Sequence, residues 1–262
     1  MIRIVNRVIL ILCFPMIIWA DFFFTGVLTK DTGYTKQRLV SKSKLLHLDR
    51  EIREGWKEGY VITDISHAPR RWSVVLSQKR GVQKQLYMSR RLISDFKKAV
   101  HYYLEEGYEI VNVENGVGEW IAVFEKGGDY RSTGLNVTRS WEETDKIIRQ
   151  RKKLGFHLID MEAEEGYWVV LFAKVTPFDT ELYTRVEGWK ALEKRIEKAW
   201  KDGYHIANME YGGNEWFLLF TKGNQNVSQR YIRSRKFKQF RQAVQDAWQK
   251  GYRLTDLGEG RR

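Results

Sequence analysis

The chain has 262 residues, 43% of them hydrophobic and 30% charged, a globular composition that excludes a disordered polypeptide. Lys and Arg outnumber Asp and Glu by 45 to 33, and the net charge of +12 points toward anionic partners. One Cys and five scattered His exclude a disulfide framework and a Cys- or His-based metal centre, so neither a metal ion nor any other cofactor is expected.

Arg3 and Arg7 precede an apolar run from Val8 to Trp19 that ends at Ala20-Asp21, the pattern of a secretory signal. The run is too short to span a bilayer comfortably. Cleavage after Ala20 is expected, although Ile18 stands where a small residue is preferred, and an uncleaved anchor is the alternative. The predicted domain order is a signal peptide over residues 1–20 and one domain over 21–262 without Cys or transmembrane span, placed in the periplasm or outside the cell.

The rest of the chain is one motif repeated. Gly-aromatic pairs stand at Gly59-Tyr60, Gly107-Tyr108, Gly155-Phe156, Gly203-Tyr204 and Gly251-Tyr252, each 48 residues after the last, and Trp72, Trp120, Trp168 and Trp216 follow the first four glycines by 13. Before each glycine the apolar spacing is helical: Ile52, Val100, Ile148, Ile196 and Val244 share a face with Trp56, Leu104, Lys152, Trp200 and Trp248. Lys152 is the departure. Ser140-Trp-Glu-Glu143 predicts a capping box, and each glycine is placed to end a helix in the left-handed conformation. After the glycine, Tyr60–Ile65 and its equivalents, a turn, and the Trp run predict a hairpin, and a third short strand is expected around Gln85–Met88.

The fifth unit stops before its Trp strand and would leave an unpaired edge. Laid on the same register, Phe24 falls on the Trp position and Leu39 on Tyr87, so residues 22–29 are expected to supply the missing strand. The predicted fold is therefore α+β, a five-fold closed, propeller-like ring of 48-residue units, each of about three antiparallel strands and one helix.

On Ile52–Asp64, Trp72–Ser77 and Gln85–Tyr87, the unit resembles the repeats in the C-terminal domain of plant casein-kinase-I-like protein kinases and related bacterial proteins, over residues 22–257. The resemblance implies a domain of unknown function without assigned catalytic residues. No kinase motif is present.

Five residues after each glycine stand Asp64, Asn112, Asp160, Asn208 and Asp256, polar in all five units. They predict either local caps on the hairpin turns or a ring of oxygens that binds a ligand, calcium or sugar hydroxyls. Glu114, Glu119, Glu162, Glu164, Glu165, Glu210 and Glu215 cluster around the hairpins, either as solvated loop charges or as a source of a catalytic carboxylate pair. His157 and His205 occupy equivalent strand positions and read as a surface row rather than a metal pair. The Trp residues read as core. Basic residues, notably Arg149, Arg151, Lys152, Lys153, Arg233, Arg235, Lys236 and Lys238, predict a positive outer rim beside Tyr87, Tyr183 and Tyr231, with solvated helix faces as the alternative. The function expected is a monomeric, non-enzymatic binding module with a basic surface for an anionic glycan, lipid or protein; nucleic acid is not expected as a partner. A hydrolase using the loop carboxylates in the channel is the alternative.

Overall fold

The computed structural model describes residues 22–223 and 227–261; the expected signal peptide lies outside them. The first strand, β1 (Phe22–Thr29), is followed by four units of one design. These are β2 (Gln37–Lys42), α1 (Leu45–Lys57), β3 (Val61–Ala68), β4 (Arg71–Ser77); β5 (Lys84–Arg90), α2 (Ile93–Glu105), β6 (Glu109–Gly116), β7 (Glu119–Lys126); β8 (Gly134–Thr138), α3 (Trp141–Lys153), β9 (His157–Glu164), β10 (Tyr167–Ala173); and β11 (Thr180–Val186), α4 (Trp189–Lys201), β12 (His205–Gly212), β13 (Glu215–Lys222). A fifth begins with β14 (Gln229–Ser234), α5 (Phe237–Gln249) and β15 (Arg253–Arg261). The fold is α+β, with five three-stranded antiparallel sheets ordered β2-β4-β3, β5-β7-β6, β8-β10-β9, β11-β13-β12 and β14-β1-β15.

Two features of the sheets bear on the expectations. The third strand precedes the helix of its sheet: β5, which holds Gln85–Met88, pairs with β7 and not with β4. In the fifth sheet β1 takes the middle place, pairing with β14 on one side and β15 on the other. Among the described residues no helix is long and apolar enough to cross a membrane.

Each helix ends as its glycine predicts. Gly59, Gly107, Gly155, Gly203 and Gly251 all take φ between 76° and 82°. The Tyr60 N–H bonds the Gly55 carbonyl at 2.9 Å and the Gly59 N–H the Trp56 carbonyl at 3.1 Å, the double bond of a Schellman motif, and the other four helices repeat it. At α3 the Glu143 N–H donates to Ser140 Oγ at 3.2 Å, while the Glu143 carboxylate accepts from the Arg139 N–H, one residue earlier than a standard capping box.

The middle strands carry the core. Trp72, Trp120 and Trp216 are buried, Trp216 completely, against Trp189 at 5.4 Å and Tyr211 at 5.1 Å. Trp168 is the exception: it is half-buried, against Trp141 and beneath the Arg185 guanidinium. The expected outcome of Trp216→Ala is a loss of about 3–5 kcal/mol in urea denaturation, from lost burial and the cavity left behind.

Neighbouring units are stitched by a side chain on the outer strand. Gln85 Oε1 accepts from Trp56 Nε1 at 2.9 Å and from the Ile62 N–H, while its amide donates to the Ile62 carbonyl. Gln229 repeats this with Trp200 and Ile206, and Gln37 with Trp248 and Leu254, joining the fifth unit to the first. The stitch explains Lys152. Where the Trp is replaced by Lys, the Gln is replaced by Glu181, and the two form an ion pair at 3.2 Å.

Candidate functional site

The innermost strands β3, β6, β9, β12 and β15 are sheet edges, and each lies against the next in that order, with β15 also against β3. Each carries a β-bulge. The register against the middle strand shifts between Ile62 and Asp64, Ile110 and Asn112, Leu158 and Asp160, Ile206 and Asn208, and Leu254 and Asp256. In a regular strand Asp64 would share a face with Ile62. The extra residue lets Ile62 and Ile65 both enter the core beneath α1 and turns Asp64 the other way, as in the equivalent pairs of every unit.

The five re-aimed residues come together. Asp64, Asn112, Asp160, Asn208 and Asp256 line one cavity of about 460 Å³, with the bulge residues Thr63, Val111, Ile159, Ala207 and Thr255 above them. Loops between each middle strand and the next outer strand add Tyr34, Lys79, Asp129, Tyr130 and Phe178 to its wall. Sequence reasoning missed these loop residues, because they sit outside the repeating positions. Lys79 pairs with Asp129 at 2.7 Å and lies 4.0 Å from Glu125; burial lowers its pKa, and Glu125 and its other anionic neighbours more than restore it.

The Asp/Asn positions bond both their own strand and other units. Asp160 Oδ1 accepts from the Met161 N–H at 2.9 Å and Asp64 from the Ile65 N–H, while across units Asp64 Oδ2 accepts from the Leu257 N–H at 2.6 Å, Asp160 Oδ2 from the Val113 N–H at 2.8 Å, and Asp256 from the Met209 N–H. The Asn208 amide donates to Asp160 Oδ1 at 2.8 Å, and that of Asn112 to Asp64 Oδ1 at 3.5 Å. The reason is that edge strands touching without ladder pairing leave buried N–H groups, which the carboxylates satisfy. Asp and Asn alternate so that an amide donor meets each acid, but five positions cannot alternate completely. Asp256 and Asp64 are neighbours with no amide between them.

Burial and this crowding move the acids upward. Asp160 is pushed up to about 7 by burial, against the pull of the Val113 and Met161 N–H groups. Asp256 is raised by burial and then by the charge of Asp64, and Asp64 by burial and then by Asp160. Asn112 Oδ1, Asn208 Oδ1 and Asp256 Oδ2 have no protein partner.

Residues 87–259 match a family described as a domain of unknown function (DUF7477). The chain belongs to the DUF7477 family. The DUF7477 match runs from β5 into β15 and takes in four of the five cavity positions; Asp64 lies before it, in a unit of the same design. Among curated proteins, none matches the chain.

The other expected sites fall differently. Glu114, Glu162 and Glu210 lie within the innermost strands rather than in loops, while Glu165 sits in a hairpin turn. Glu119 faces Arg91, and Glu215 is paired with Arg185. His157 bonds Glu181 at 2.6 Å. The basic block is mostly exposed, Arg149, Lys152, Lys153, Arg235, Lys236 and Lys238 all lying at the surface, and several of its residues also have partners within the molecule. Arg149 pairs with Asp145 at 2.8 Å, Arg151 donates to Asn136 at 2.9 Å, Lys152 pairs with Glu181, and Arg233 lies 3.4 Å from the centre of the Phe23 ring. Arg235 also lies over Phe23, at 5.3 Å, and it is exposed, as are Lys153, Lys236 and Lys238. The three tyrosines are no open platforms: Tyr87, Tyr183 and Tyr231 donate to Asp49, Asp145 and Glu193.

Proposed function

We propose that the protein is an exported, non-enzymatic binding module in which five units close into a ring and the ligand occupies the cavity between them. The convergence of Asp64, Asn112, Asp160, Asn208 and Asp256 on one cavity carries the reading. The contact of β15 with β3, the Leu257–Asp64 bond and the Trp248–Gln37 stitch support closure, because each repeats between the fifth and first units what joins earlier ones. Export rests on the residues before Asp21, and kinship with the plant kinase repeats rests on the shared motif. The cavity wall is rich in acids, amides, threonines and aromatic rings, which suits a small, hydroxyl-rich ligand that is neutral or cationic and disfavours an anion.

A second reading, an anionic macromolecule on the outer surface, is favoured by one observation. With Asp64, Asp160, Asp256, Glu114 and Glu162 turned inward, the exterior is more positive than the formal charge of +12. The two separate in one experiment: thermal-shift and calorimetric titration of a panel of neutral sugars, amino sugars and anionic glycans against the protein and Ala207→Trp, which fills the cavity. Binding of a neutral or amino sugar that Ala207→Trp abolishes is expected. Binding confined to polyanions, weakened by salt and unchanged in Ala207→Trp, would move the site to the outer surface, and turnover of a bound glycoside would replace the binding reading with the hydrolase.

A further inference from the structure

Two residues beyond the Asp/Asn layer, on the same face of the innermost strands, stand Ser66, Glu114, Glu162, Glu210 and Gly258. At the strand rise of about 3.3 Å per residue this layer lies roughly 7 Å deeper than the first. Oxygens of Glu114, Glu162 and Glu210 come within 4.8 Å of one another, although the three residues are a full unit apart in sequence. Glu114 is 5% and Glu162 4% exposed.

The way these carboxylates are held matters more than their number. Each has one oxygen oriented by a protein donor: Glu114 Oε1 by the His67 N–H at 3.1 Å, Glu162 Oε1 by the Ala163 N–H at 3.0 Å, and Glu210 Oε1 by the Asn208 amide at 3.3 Å. Glu162 Oε2 is buried without a hydrogen-bond partner, and the Asn115 N–H near this carboxylate only partly offsets its burial. The charges that bear most on Glu210 are those of Glu162, Glu114, Asp256 and Asp160, all of one sign. A carboxylate out of water, with one oxygen unpartnered and like charge around it, needs either a proton or a cation.

We propose that Glu114, Glu162 and Glu210 form a calcium site in the layer next to the Asp/Asn positions that line the cavity. The donors are all hard oxygens, with no His or Cys, which selects an alkaline-earth ion. Ca²⁺ accepts six to eight oxygens at about 2.3–2.6 Å in flexible geometry, carboxylates giving one or two each, whereas Mg²⁺ demands a near-ideal octahedron at about 2.0–2.1 Å and keeps much of its water. Three convergent protein carboxylates suit the ion that gives up its water more readily. The site draws on three consecutive units and does not depend on closure between the fifth and the first.

The test is calorimetric titration of the full chain, stripped with a chelator, with CaCl₂ and separately with MgCl₂, beside Glu162→Gln and Glu210→Gln. One Ca²⁺ per chain, bound at least tenfold more tightly than Mg²⁺ and at least tenfold more weakly in each folded variant, is expected. Melting in chelator serves as the control, since each variant removes a buried charge and is expected to melt at or above the wild-type temperature. Absence of Ca²⁺ binding, equal binding in the variants, or a preference for Mg²⁺ overturns the proposal. If one variant fails to fold, the other carries the comparison.

Discussion

Deletion of Phe22–Thr29 abolishes the cooperative unfolding transition. β1 is the middle strand of its sheet, so its loss removes both ladders and turns β14 and β15 into unpaired edges. Val27 and Leu28 are fully buried, and Gly26 lies so close to Leu254 and Phe240 that a side chain there would collide with them. At about 1.5–3 kcal/mol for each large apolar side chain removed from the core, together with the lost ladder, the deletion exceeds the stability of about 5–15 kcal/mol that a domain possesses. Circular dichroism melting provides the check, and a truncated chain that melts cooperatively near the wild-type temperature would contradict the strand's role. A permutant supplies the complementary result. Phe22 is paired with Arg261, so residues 22–29 placed after Arg261 through an Asn-Gly turn form the hairpin that β3 and β4 make in the first unit. That chain is expected to fold.

In the presence of a chelator, the protein loses stability as pH rises from about 4 to 8. Asp160 titrates near 3.8 in an unfolded chain and is pushed up to about 7 in the native one, so between those values the native state holds the extra proton. Stability falls wherever the native state binds more protons than the unfolded one, which gives about 1.4 kcal/mol per unit of difference and about 4 kcal/mol for Asp160 alone. The groups that face it act in the same direction or not at all: Asp64, Glu162 and Asp256 are raised as well, Asn208 is neutral, and the Val113 and Met161 N–H groups are already counted in the value. Urea midpoints at pH 5 and pH 8 measure the effect. Equal midpoints would mean that the carboxylates are solvated or neutralised, in conflict with the buried geometry. Asp160→Asn is expected to flatten the slope, because an amide keeps the acceptor for Val113 and carries no proton to lose.

Much of the fold was legible from spacing. The repeat of 48 residues, the helix stripes, the glycines that end the helices and the alignment of Phe24 with the Trp positions all rest on local periodicity or on register within one repeat, and β1 lies where that register puts it. Lys152 looked like a defect because its compensating partner, Glu181, is 29 residues away on the next unit's outer strand.

The candidate site was legible only in outline. The five Asp/Asn positions stood out, but their hydrogen bonds did not, because the Leu257 N–H that reaches Asp64 is 193 residues distant. Strand periodicity would have buried Asp64 beside Ile62; the bulge reverses it, and a bulge is not visible in apolar spacing. Glu114, Glu162 and Glu210 read as loop charges for a similar reason, since proximity across three units is a property of packing rather than of spacing. By itself, then, the sequence determined the unit, its helix and hairpin, and the residue types offered at each equivalent position. Tertiary structure alone decided which way those residues face and what meets them, because edge strands that touch without a ladder must satisfy their backbone N–H groups with side chains from a neighbouring unit, and that requirement pulls the acids inward.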